Sequence, residues 1–157
     1  MSNSRKIAVL GLAALVVSCV CHAQDKEKKI KRSELPPPVE KTVTVQSAGA
    51  TVRRFSREEE RGKLYYEAEM TVHGHSKDVL IAPDGTVVEV EEELAFDSLS
   101  RELKSGLQAK GGSGKIKKVE SITKHDKLVA YEAVVVNNGK KSEVQVGPDG
   151  KPLDHEE

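Results

Sequence analysis

The chain has 157 residues, with 25 Lys or Arg against 25 Asp or Glu, 37% hydrophobic and 3% aromatic residues, and no Trp. That length holds one domain of ordinary size or two very small ones, around a modest core of Val, Leu and Ile. Zero net charge excludes a nucleic-acid or anionic-membrane binder driven by bulk basicity, and no set of residues has the order of a catalytic constellation.

Arg5 and Lys6 precede an uncharged apolar run over residues 7–17. A bilayer span takes about 20 residues, so the run fits the h-region of a secretory signal peptide instead. Cys21-His22-Ala23 before Gln24 places a small residue at the cleavage position, which makes residues 1–23 the signal. Val16-Val17-Ser18-Cys19 resembles a lipobox, and the alternative is a membrane-anchored lipoprotein that begins at a lipidated Cys19. Cleavage after Ala23 removes Arg5, Lys6 and both cysteines, leaving 23 basic and 25 acidic residues and no thiol or disulfide chemistry. The expected location is exported, periplasmic or secreted. Residues 24–34, QDKEKKIKRSE, are dense in charge with Ile30 as the one apolar side chain, and read as a disordered spacer.

The remainder repeats itself. A shift of 65 superposes Tyr66-Glu67-Ala68 on Tyr131-Glu132-Ala133 and Pro83-Asp84-Gly85 on Pro148-Asp149-Gly150, with ten identities over residues 66–92. Upstream, a shift of 64 superposes Leu35, Val39 and Val43 on Leu99, Leu103 and Leu107, and Val52 and Phe55 on Ile116 and Val119. Self-similarity at fixed spacing marks duplicated units, here 35–93 and 97–157.

Each unit opens with apolar residues four apart, which line one helix face. In the second unit Asp97 and Ser98 offer N-caps and Gly111-Gly112 ends the run. In the first, Thr42-Val43-Thr44-Val45 has strand chemistry, but alignment with the second unit assigns a short helix over 37–47. Strands follow at 52–56 and 116–122, at 64–72 and 128–136 with a period of two, at 78–81 and 142–146, and at 86–91 and 152–154. Turns at Gly74, Asn138-Gly139 and the two Pro-Asp-Gly sequences separate them. The expected fold is α+β: two tandem units, each a helix on a four-stranded antiparallel meander, with the sheets able to join edge to edge. One sheet face lies under the helix and the other is open.

The pattern resembles the PepSY family in its beta-lactamase-inhibitor-like branch. The residues that carry it are the Leu-Pro-x-x-Val start at 35–39, Gly-Lys-x-x-Tyr-Glu at 62–67, Asp84-Gly85, and in the second unit residues 127–132, Asn138-Gly139-Lys140 and Pro148-Asp149-Gly150-Lys151. Ser100 stands where the family often has Pro. The resemblance implies an exported bacterial protein with small helix-on-sheet domains and no enzyme activity of its own. Some relatives sit in protease propeptides, and the structural namesake inhibits an enzyme.

His73-Gly74-His75 has the look of a ligand pair, but it aligns with Asn138-Gly139-Lys140 and lacks a third ligand nearby, so no metal is expected there. His125 and His155 read as surface residues. The Asp-Gly turns lack the alternating oxygens of a calcium loop. Glu89, Glu91, Glu92 and Glu93 read as an acidic strand edge. If Tyr66 and Tyr131 pack beneath the helices, Glu67 and Glu132 line the open face together with Tyr65 and Glu69. Those four are the candidate binding residues, with Tyr65 the main contact. The reading is an exported non-enzymatic binding module of the bacterial cell envelope for a protein or peptide partner, with inhibition of a protein or peptidase partner through the open sheet face as its expected form. It expects no cofactor, no nucleic acid and no membrane insertion unless Cys19 is lipidated. The alternative is a small-ligand or metal-ion sensor or carrier that uses the acidic strands.

Overall fold

A computed structural model describes residues 27–60 and 62–157. The signal-peptide and Cys19 readings lie outside the described residues. The elements are β1 (Lys28–Ile30), α1 (Pro37–Gln46), β2 (Thr51–Glu60), β3 (Lys63–Val72), β4 (His75–Ile81), β5 (Val87–Glu93), α2 (Arg101–Gly111), β6 (Lys115–Lys124), β7 (Lys127–Asn137) and β8 (Lys140–Val146). The strands form one eight-stranded sheet in sequence order, antiparallel throughout. The fold is therefore α+β with a single continuous sheet. Among the described residues no helix is long and apolar enough to cross a membrane.

Both helices cover the same sheet face. In α1, Pro37 and Pro38 occupy the first turn, where a missing N–H costs nothing, and Val39 and Val43 point into a core with Tyr66, Ala68, Met70, Val79 and Ile81. In α2, Leu103 and Leu107 meet Val119, Ala133, Val135 and Val146. The helix expected over 37–47 thus forms despite its β-branched residues, because burying Val39 and Val43 outweighs their modest propensity cost. The α2 cap is Ser100, whose Oγ accepts from the Leu103 N–H at 3.2 Å, rather than Asp97 or Ser98. Those two lie in a preceding 3-10 turn, where the Ser98 hydroxyl donates to the Ala95 carbonyl at 2.7 Å.

Two expectations need correction. Residues 28–34 of the charged segment are not a disordered spacer. β1 pairs with the outer edge of β2, Lys28 to Arg57 and Ile30 to Phe55, and Ile30 packs on the first core. Arg32 then grips Glu40 of α1 through Nε at 3.0 Å and Nη2 at 2.8 Å. An open sheet edge and one apolar side chain suffice to order a segment whose composition alone argues against it. The second correction is the last strand at 152–154, which reduces to an isolated bridge between Val146 and Pro152. A proline has no N–H to extend a ladder, so three strands, not four, follow α2.

The two Asp-Gly turns lock the helices to the sheet. Ala82 N–H donates to the Thr86 carbonyl at 2.9 Å, and Gly147 N–H to the Lys151 carbonyl at 2.8 Å. Asp84 and Asp149 accept from the N–H two residues on, at 2.9 and 3.0 Å. Gly85 (φ +90) and Gly150 (φ +78) then touch the first turn of each helix: a Cβ there would meet the Pro38 carbonyl oxygen at 2.8 Å and the Glu102 carbonyl oxygen at 2.5 Å. The Thr42 hydroxyl donates to the Gly85 carbonyl at 2.6 Å. Under α2 the corresponding place is Gly106, where a Cβ would strike the Gly150 carbonyl oxygen.

Gly150→Ala combines a left-handed backbone with a backbone clash and is expected to cost about 2–4 kcal/mol, or a fall in Tm of about 10 °C. Gly139→Ala shares the positive φ (+77) but meets nothing within 4 Å, and should cost about 1 kcal/mol. Thermal unfolding of both variants checks the difference.

Candidate functional site on the open sheet face

The face away from the helices is acidic. Strand alternation that turns Tyr66, Ala68 and Met70 inward turns Tyr65, Glu67 and Glu69 outward. Register then builds rows across the sheet. One row runs Arg54, Glu69, Asp78, Glu91 and Ile122. The next runs Ser56, Glu67, Leu80, Glu89 and Lys124. A third joins Glu93, Glu120, Glu132 and Gln145. A hollow between β2 and β5 is lined by Glu58, Glu60, Glu67, Asp78, Leu80, Glu89 and Glu91. Beside it a second hollow takes in Glu132, Glu143, Glu156 and Glu157 above the buried Ile122.

Several cations on this face are engaged by its acids. Arg54 pairs with Glu69 and with Glu27 at 3.0 Å. Burial opposes its charge, but Glu69 and Glu27 outweigh that and hold its pKa above the ordinary value. Lys118 meets Glu120 at 2.6 Å, which satisfies a carboxylate whose side chain is 7% exposed, and Lys124 meets Glu89 at 3.6 Å. The Ser56 hydroxyl donates to Glu67 at 2.8 Å, and the Gln145 amide to Glu132 at 2.9 Å. Ser76 N–H donates to Glu93 at 2.9 Å, which lowers the Glu93 pKa. Asp78 Oδ1 is buried with no hydrogen-bond partner; its ion-pair neighbour, Arg53, lies 3.7 Å away.

Crowding raises the acids that remain. Burial, then Glu67, pushes Glu58 up to about 8. Burial, then Glu120 and Glu89, pushes Glu91 up to about 8. Burial, then Glu67 and Glu69, pushes Asp78 up to about 6. Burial also raises Glu132, against the amide of Gln145. Carboxylate oxygens of Asp78, Glu91 and Glu120 all lie within 4.8 Å of one another, as do those of Glu27, Glu67 and Glu69. Such spacing matches the oxygen shell of a hard divalent cation, whose ligands sit about 2.3–2.6 Å from the ion.

The four candidate binding residues fall on this face, but not in one patch. Tyr65 lies opposite Glu58, at the rim of a cleft with Leu64, Pro83, Val88 and His125. Glu67 and Glu69 lie along β3, while Glu132 sits four strands away on β7, across from Glu120. Of the edge acids, Glu89 and Glu91 join the basin. Glu92 instead lies on the helix side, 3.4 Å from Lys77. His73 and Asn138 take positive φ in their hairpin turns, as do His125 and Asp126; among the described residues no histidine belongs to a group of three close ligand atoms. Sequence reasoning missed Glu58, Asp78 and Glu120. Ending the 52–56 strand at Ser56 left Glu58 and Glu60 outside it, because Arg57-Glu58-Glu59-Glu60 is charged throughout and shows no alternation of its own.

No family model matches the chain, and no curated protein matches it. Solved structures share its fold. A DUF2874 family protein from Bacteroides ovatus superposes with a TM-score of 0.58 at 20% identity, over 76% of this chain and 85% of that one. A candidate periplasmic protein from Bacteroides eggerthii gives 0.62 at 16% identity, over 75% and 85%. A BLIP-like protein from Bacteroides fragilis gives 0.54 at 18% identity, over 76% and 83%. The BLIP-like fold is the coarse form of the likeness legible in the sequence.

The raised carboxyls fix the sign of a pH effect. Unfolded, they ionise near the ordinary carboxylate value; folded, Glu58 and Glu91 hold their protons to about 8 and Asp78 to about 6. The folded state therefore binds more protons across that window, and stability falls as pH rises from about 4.5 to about 8. Glu40, Glu93, Asp84 and Asp149 are lowered instead, so their contribution is lost only as pH falls below the ordinary carboxylate range. Melting curves should show a higher Tm near pH 5.5 than near pH 8.5, and Glu91→Gln should raise Tm by about 5 °C at the higher pH and flatten the slope.

Proposed function

We propose that the chain is an exported, non-enzymatic binding module of the bacterial cell envelope, built from two PepSY-like units and acting on a protein or peptide partner through its open sheet face. The observation that carries this reading is the division of the sheet: both helices lie on one face, and the other is left with a hollowed surface of side chains aimed outward. Duplication is supported by the two Asp-Gly turns, whose hydrogen bonds correspond residue by residue at the shift of 65. It is supported too by two cores built from matching positions, Val39 with Leu103 and Val43 with Leu107. Export agrees with the apolar run over residues 7–17 and with the periplasmic assignment given to the Bacteroides eggerthii neighbour. Inhibition of a peptidase or another envelope enzyme is the form of binding that a BLIP-like fold brings to mind, by analogy of fold alone.

A second reading, a sensor or carrier of a divalent cation, is favoured by one grouping: Asp78, Glu91 and the buried Glu120, with Asp78 Oδ1 lacking a hydrogen bond.

The chain from Gln24 onward, used as bait in envelope extract, separates the two. Binding through the open face predicts one specific protein whose recovery falls about tenfold on Tyr65→Ala, the loss of a contact worth about 1.4 kcal/mol. Lys104→Ala, on the helix side, should leave recovery unchanged. If no protein is captured, while calcium chloride raises Tm in the wild type and not in Asp78→Asn, the cation reading replaces it.

A further inference from the structure

The chemistry of what covers the open face can be taken one step further. Arg54, Lys118 and Lys124 each pair with an acid beside them, and Arg53 lies 3.7 Å from Asp78; within the hollow between β2 and β5, Glu58, Glu67, Asp78 and Glu91 stand in close company. Charge complementarity sets the sign of the occupant. Against the rim of that hollow lies a cleft with Leu64, Tyr65, Pro83 and Val88 as its apolar lining and Lys63, Asp84 and His125 at its edges, with Tyr65 directly across from Glu58. The acidic surface also runs from β2 to β8, roughly 25–30 Å at ordinary strand spacing. A single ion would gather oxygens only within about 2.6 Å of itself, so an extended ligand matches the surface better than one ion does.

Resting on the reading of this face as a binding surface, we infer that its occupant is a cationic segment of a protein partner. A Lys or Arg side chain enters the hollow among Glu58, Glu67 and Glu91, and a neighbouring apolar side chain rests against Tyr65. The Tyr65 ring serves both, since an aromatic face also attracts a cation. The entering charge takes the place of protons that crowding holds on the carboxyls, so affinity rises with pH through the range in which those groups ionise.

The probes are fluorescent octalysine and octaglutamate peptides, measured by anisotropy at about pH 8.5, against the wild type, the Glu67→Gln/Glu89→Gln double variant and Glu102→Gln on the outer side of α2. Octalysine should bind the wild type in about 0.02 M salt, lose most of that affinity in about 0.5 M salt, and bind the double variant about tenfold more weakly, some threefold for each carboxylate. Glu102→Gln should change little and octaglutamate should not bind. The double variant removes repulsion and should melt no lower than the wild type, which a thermal scan verifies. Equal octalysine binding by the wild type and the double variant overturns the proposal, as does calcium chloride abolishing it while raising Tm. Failure of the underlying reading looks different. A captured envelope protein that is lost on Tyr65→Ala, yet held by the double variant at both salt concentrations, leaves the binding surface standing and removes only its cationic occupant.

Discussion

Everything in this protein follows from a sheet with two unlike faces. An antiparallel strand sends successive side chains to opposite sides, so an alternating sequence sorts apolar from charged groups without further instruction. β3 does this with Tyr66, Ala68 and Met70 on one side and Tyr65, Glu67 and Glu69 on the other. β4 continues with Val79 and Ile81 against Asp78 and Leu80, and β7 with Ala133 and Val135 against Glu132. Two helices suffice to shield one face. Nothing of comparable size among the described residues shields the other, and on it the acids accumulate.

The helices hold their places through contacts that only small or specific residues permit. Each Asp-Gly turn is cinched by its own aspartate and pressed on the first turn of a helix, so close that a methyl group would strike a backbone carbonyl. The two sides solve the same approach differently. Thr42 reaches the Gly85 carbonyl by a hydrogen bond, whereas Gly106 lets the Gly150 carbonyl come against bare backbone. At the seam between the two cores, β5 and β6 pair in register from Glu89 and Lys124 to Glu93 and Glu120, which carries the sheet and its acidic face across without a break.

Much of this was legible in the sequence. The second helix announced itself by apolar residues four apart and the first only through its alignment with the second, the central strands by strict alternation, and the turns by Asp-Gly and Asn-Gly. What escaped was non-local. The order of residues 28–34 depends on the free edge of β2 and on Glu40, which composition cannot show. The failed strand at 152–154 turned on one proline. In the candidate site, Glu67, Glu69 and Tyr65 could be placed on the open face from period two alone, but the neighbours that make them a basin come from other strands. Asp78, Glu91 and Glu120 are far apart in the chain and meet only through register. Charge crowding is a property of the sheet, not of any one segment.

That crowding is the central claim, for it distinguishes a surface under electrostatic tension from a merely solvated one. Clustered, half-buried carboxylates repel one another and hold protons into the neutral range. A carbon-detected NMR titration of the Glu91 side-chain carboxyl is the most direct measurement of it. The account predicts a midpoint near the value of about 8 that burial, Glu120 and Glu89 impose. A midpoint at the ordinary glutamate value of about 4.3 would mean that the face is open and fully solvated, and would contradict it.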